Sequence, residues 1–202
     1  AMGAAEEPDG TLPVLELMAA SAGRLAQSHG PGHGDAFIRK SQKIIRAMER
    51  EAAGNGALFP WTRDSMHALA KAGIKVGVIT RNCREAVLAL FPDIMDHCEV
   101  FLSRDDVDRV KPHPDHVLGA LAVLGEKPAA SVMVGDHFLD VETGHRAGMR
   151  TAGVATGRIS REELCAAGAD MAAPDCGVLV RLLVTDGAAR DVLCTPAKAA
   201  RG

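Results

Sequence analysis

The chain is predicted to be an α/β protein built on a doubly wound parallel sheet, with a small all-helical insert near its start. Three observations predict this. From Thr62 onward, short apolar runs alternate with helix-period segments, the pattern of strands joined by covering helices. Two helical stretches with no strand between them precede that alternation. The apolar run 131–134 stops at Gly135 and is followed by Asp136 and Asp140. Acids just past a buried strand lie where open parallel sheets bind their ligands.

Each element follows from its own residues. Segment 13–27 has helical patterning, and 28–34, which carries His29 and His33 among glycines and a proline, reads as a loop. In the next segment Ile38, Ser41, Ile45, Met48 and Ala52 fall three and four apart on one helical face, until Gly54, Asn55 and Gly56 end it. These pieces make an insert over 13–58. Strands are expected at 76–79, 100–102, 131–134 and 151–155, with a weaker one near Met171, and helices at 64–72, 84–90, 114–124, 141–147 and 161–166. The core domain then comprises 1–12 and 59–184. The remainder, 185–202, is rich in Ala, Arg and Gly and is expected to fray as a flexible tail.

Composition narrows the function classes. The 202 residues allow one ordinary domain or a core with a small insert, and 47% hydrophobic with 24% charged residues is a globular balance. A formal charge of -3 gives no basic footprint for nucleic acid, and a chain with no Tyr and Trp61 alone offers poor stacking platforms for bases. No apolar run is long enough to span a bilayer, no signal peptide is read at the start, and Ala1-Met2-Gly3 reads as a processed beginning. Cys83, Cys98, Cys165, Cys176 and Cys194 are scattered and odd in number, so free thiols in a reducing cytoplasm are expected rather than a disulfide framework or a zinc site. A monomer or homodimer is expected.

Four polar clusters have the residue types that phosphate chemistry requires. Glu7 and Asp9, two apart before a Gly-Thr turn, project to one side of an extended chain, so one can attack while the other moves protons. Thr80 ends the run 76–79, and its hydroxyl and the neighbouring amides of Arg81 and Asn82 are placed to bind phosphoryl oxygens. Lys111, before Pro112, supplies a compact positive charge. Asp136 and Asp140 are candidate ligands for a hard cation. His113 and His116 read as residues that flank or open a helix rather than as metal ligands, and His137 as a loop residue.

The ordered set Asp9-Gly10-Thr11-Leu12, Val78-Ile79-Thr80, Lys111-Pro112 and Val134-Gly135-Asp136 with Asp140 resembles the four motifs of the haloacid dehalogenase (HAD) superfamily. It is most similar to the phosphoglycolate-phosphatase-like branch, which carries a helical cap between the first two motifs. The resemblance covers roughly 7–184. It implies a Rossmann-like core and a Mg²⁺-dependent phosphatase that acts on a small phosphorylated metabolite through an aspartyl-phosphate. By position it implies Asp136 as metal ligand, Asp140 as its support directly or through water, Asp9 as general acid/base that also offers its backbone carbonyl to the metal, Thr80 as phosphate binder and Lys111 as stabiliser of the nucleophile and the transferring charge. Glu7 stands where the family has its nucleophilic aspartate. One added methylene displaces the attacking oxygen by roughly 1 Å, and such misplacement costs on the order of 100-fold, so weak turnover is expected. Residues 1–6 are poor strand formers where the family has a strand, and Arg81 follows the threonine where many relatives have Asn. The competing reading is an inactive relative that binds a phosphorylated ligand or a protein partner.

Overall fold

The structure is a computed structural model that describes residues 13–185 and 192–194. The chain divides into two compact units, with the division between Ala52 and Ala53.

The first unit is a helical hairpin of α1 (Val14–His29) and α2 (Pro31–Asn55), whose last residues pass the division. The loop expected over 28–34 is absent. Gly30 alone separates the helices, with φ at 94°, a conformation glycine adopts without penalty. Pro31 then opens α2, because proline's fixed φ suits a first helical turn and its missing N–H costs nothing there. Gly34 is buried in α2 because a Cβ there would lie 2.7 Å from the Ala22 carbonyl oxygen and 3.1 Å from the Ala26 methyl, so the two backbones pack closely.

The second unit is α/β. Its elements are α3 (Thr62–Lys71), β1 (Gly77–Ile79), α4 (Arg84–Leu90), β2 (Val100–Leu102), α5 (Asp115–Leu124), β3 (Val132–Gly135), α6 (Phe138–Arg146), β4 (Arg150–Val154), α7 (Arg161–Ala166), β5 (Met171–Ala173) and α8 (Cys176–Val184). Among the described residues all ladders between strands are parallel, as the alternation predicts, and they form two pieces, β1-β2 and β3-β4-β5. Parallel strands are ordinarily buried on both faces. β5 is wholly buried and β4 is buried from Thr151 on, whereas β1 and β3 are half exposed and each has one ladder partner among the described residues. α5 joins the two pieces: its Val117 and Leu121 pack with Met133 of β3, and Ile79 of β1 lies against the same cluster.

Two expectations about the end of the chain are corrected. Within the segment expected to fray, Val192 is buried in the cluster around Ala152, Met171 and Leu179, and Leu193 bridges Met171 in antiparallel fashion. The cysteines are not all free: Cys165 and Cys194 form a disulfide, while Cys83, Cys98 and Cys176 are free thiols. The Cys194 amide donates to the Asp170 carbonyl, and this return of the chain along β5 is what brings the two sulfurs together.

Candidate active site

Lys111 is the junction of the described site. Its ammonium lies 2.6 Å from Asp140 Oδ1, with the two side chains 13% and 8% exposed. A pair this enclosed holds because each charge would be costly alone. The second Asp140 oxygen accepts the His137 amide, which closes a capping box at the start of α6. Both carboxylate oxygens are therefore engaged by the protein. Gly135 is required beside them, since a Cβ there would lie 2.2 Å from the Asp140 carboxyl carbon. His137, read as a loop residue, is the N-cap itself: its Nδ1 accepts the Leu139 amide at 3.2 Å.

Asp136 lies between β3 and α6 and is exposed. Its Oδ2 lies 2.6 Å from where Gly157 would carry a Cβ, so the loop after β4 leaves room for this carboxylate only because residue 157 is glycine.

Thr80 follows β1. Its amide donates to the Leu102 carbonyl at 3.0 Å, and its hydroxyl oxygen accepts the Asn82 amide at 3.2 Å, so the hydroxyl's own hydrogen points elsewhere and can meet a phosphoryl oxygen. The Arg81 guanidinium donates to the Lys111 carbonyl, which ties the end of β1 to the lysine's backbone. Arg104 fixes the same turn: its amide donates to the Asn82 carbonyl and its guanidinium to the Arg81 carbonyl at 3.1 Å. Behind it, Ser103 and Asp106 form a capping box, and Arg84 bridges Asp106 at 2.8 Å. Burial opposes the charge on Asp106, but hydrogen bonds from Ser103 and Arg84 outweigh it and hold the carboxyl below the ordinary carboxylate range.

Lys111 is thus bonded through its ammonium to Asp140 and through its carbonyl to Arg81. Thr80 and Asn82 share the Arg81 turn, and Asp136 shares the β3–α6 turn with Asp140. Glu7 and Asp9 lie outside the described residues. Among the described residues, no three His, Cys, Asp or Glu side chains cluster tightly enough to hold a metal alone. What fits a hard divalent cation here is an exposed carboxylate, Asp136, beside an open glycine, with oxygen donors still to come from substrate, water or the first motif. Sequence reasoning did not single out Gly157, Arg104, Ser103 or the Leu102 carbonyl. A backbone acceptor leaves no trace in a sequence, and Gly157 has meaning only once Asp136 lies against it.

The model of the haloacid dehalogenase-like hydrolase family matches residues 17–154. A pyrophosphatase PpaX from Bacillus pumilus is 40% identical over 94 residues, which is 46% of this chain and 44% of that protein. The PpaX of Anoxybacillus flavithermus is 40% identical over 105 residues, covering 50% and 48%. The matched segment therefore spans about half the length of these relatives or less. Among solved structures, a phosphonoacetaldehyde hydrolase-like protein from Oleispira antarctica superposes with a TM-score of 0.64 at 19% identity over 84% of this chain and 74% of that one. A HAD-superfamily hydrolase of subfamily IA from Geobacter sulfurreducens gives 0.55 at 22% identity, over 86% and 74%. At these identities the structures attest the fold alone.

Proposed function

Because the chain belongs to the haloacid dehalogenase-like hydrolase family, we propose that it is a Mg²⁺-dependent phosphohydrolase of a small phosphorylated metabolite. The observation that carries this is the Lys111 junction: one enclosed lysine is paired to Asp140 beside the Asp136 turn and is tied by its carbonyl to the turn that follows Thr80. In this reading the Thr80 hydroxyl binds a phosphoryl oxygen while the Asn82 amide fixes that hydroxyl, Arg81 holds the turn against Lys111, and Lys111 balances charge on the nucleophile and the transferring group. Asp140 keeps the ammonium aimed, and its oxygens, each with one bond to the protein and a further lone pair, support the cation directly or through water. Asp136 would hold the cation, with Asp9 adding its carbonyl and serving as general acid/base. Bound there, Mg²⁺ would neutralise phosphate charge and orient the group for in-line attack. Glu7 occupies the nucleophile's place. The pyrophosphatase relatives support a diphosphate as one candidate substrate.

The second reading, a binding module without turnover, is favoured by Glu7 alone. We propose a monomer or homodimer that acts without nucleic acid or membrane; the cytoplasmic placement expected from free thiols loses that support with the Cys165–Cys194 disulfide, and among the described residues no helix is long and apolar enough to cross a bilayer. The test is steady release of phosphate from p-nitrophenyl phosphate and from inorganic pyrophosphate with Mg²⁺. Turnover abolished by Asp136→Asn supports the enzyme; orthophosphate binding without turnover supports the module; neither refutes both.

A further inference from the structure

His116 sits in the first turn of α5, on the face that buries Val117, Ala120 and Leu121, and it is 0% exposed. An apolar side chain would fill that place without cost. A histidine there must satisfy two ring nitrogens in a dry site, and it satisfies one: Nε2 lies 3.1 Å from the Leu102 carbonyl, while Nδ1 has no hydrogen-bond partner among the described residues. A carbonyl only accepts, so Nε2 carries the hydrogen and Nδ1 the lone pair. Burial pushes the ring's pKa down. Lys111, from the loop before α5, and Arg81, from the end of β1, push the same way, against the Leu102 hydrogen bond and Asp106 from the turn after β2. The ring is neutral, and its one bond is what its burial maintains.

That bond ends on a shared acceptor. The Leu102 carbonyl also receives the Thr80 amide at 3.0 Å. Leu102 closes β2 and Thr80 follows β1, so one oxygen ties the end of β2 to the turn that carries Asn82, which Arg104 from beyond β2 also holds.

We propose that His116 is a positioning residue for the phosphate-binding turn, holding through the Leu102 carbonyl the backbone of Thr80. This rests on the reading of Thr80 as a phosphate binder. A merely space-filling role would be met by any side chain of similar bulk; a positioning role needs a donor at the Nε2 position.

Two variants separate these. His116→Leu keeps bulk and removes the donor; His116→Gln keeps an N–H at about the same reach. The protein is titrated calorimetrically with inorganic orthophosphate, and Thr80 amide exchange is followed by NMR. Expected is wild-type affinity within about twofold for His116→Gln, with His116→Leu weaker by about threefold to tenfold, the worth of one hydrogen bond. Faster Thr80 exchange is expected in His116→Leu, with β4 amides unaltered. Unchanged affinity and exchange in His116→Leu, or equal impairment in both variants, overturns the proposal. Should His116→Leu not fold, the wild-type imidazole ¹⁵N spectrum at pH 7 decides: an Nε2–H tautomer upholds the arrangement, and an Nδ1–H tautomer or an imidazolium overturns it. A wild type blind to orthophosphate refutes the phosphate reading and this proposal together, whereas binding that ignores His116→Leu refutes this proposal alone.

Discussion

Asp140 shows how much a single carboxylate can organise. It neutralises Lys111, caps α6 and requires glycine at 135. Asp140→Asn leaves an enclosed ammonium without its counter-charge, and unfolding in urea should show a loss of about 3–5 kcal/mol; a loss below 1 kcal/mol would mean that water already screens the pair. Gly157→Ala acts differently, because the nearest atoms to its new methyl all belong to the Asp136 side chain. Mg²⁺ affinity by titration should fall roughly tenfold, as for residues that support a metal ligand, with little change in melting temperature. His116 gives the residue scale its pH dependence. In the unfolded chain it takes a proton near pH 6.5, and in the folded protein only at lower pH. Below that unfolded value the unfolded state binds more protons, so the stability that His116 contributes is full above about pH 6.5 and is lost as pH falls toward the folded value. Denaturation at pH 5 and pH 7 should show a steeper loss for wild type than for His116→Gln; identical slopes would contradict it. Asp136 and Asp140 stood out in the sequence as acids just past an apolar run and Lys111 as a lysine before proline, but the ion pair between Lys111 and Asp140 left no mark there. His116 was legible only as a helix opener, because its role lies in a carbonyl fourteen residues away that no side chain marks.

At the level of elements, the strand and helix order of the second unit was legible, since each strand is an apolar run and each helix a periodic one. The α1–α2 connection was not. Glycine and proline content reads as a loop, yet Gly30 supplies the turn alone and Gly32 and Gly34 are helical, Gly34 being glycine because the opposing backbone leaves little space there. Gly34→Ala should therefore destabilise by about 1–3 kcal/mol by overpacking, against the gain in helix propensity that an open position would give; a stabilised variant would show that the hairpin parts easily. The disulfide was illegible for a different reason. Cys165 and Cys194 are far apart in sequence, and only the return of 192–194 along β5 joins them. Reduction, or Cys194→Ser, should remove about 2–4 kcal/mol by freeing that segment in the unfolded chain. A melting temperature indifferent to dithiothreitol would show that the burial of Val192 holds it unaided.

Across the molecule, the sheet is two parallel pieces whose facing roles are unequal. β4 has partners on both sides, while β1 and β3 each have one among the described residues and are the more exposed. Thr80 follows β1 and Asp136 follows β3; α5 packs against both strands, and Lys111 links their ends through Asp140 and Arg81. That Thr80 and Asp136 follow strands was legible in the alternation of apolar runs, whereas a strand's burial was not, because it belongs to the neighbours the strand finds. In the proposed site Asp136 holds a divalent cation beside a phosphate gathered by Thr80 and Lys111, and calorimetric binding of orthophosphate with and without Mg²⁺, in wild type and Asp136→Asn, tests this without requiring turnover. Mg²⁺ should tighten phosphate binding to the wild type and do nothing for the variant; phosphate affinity indifferent to both the metal and the substitution would contradict the claim.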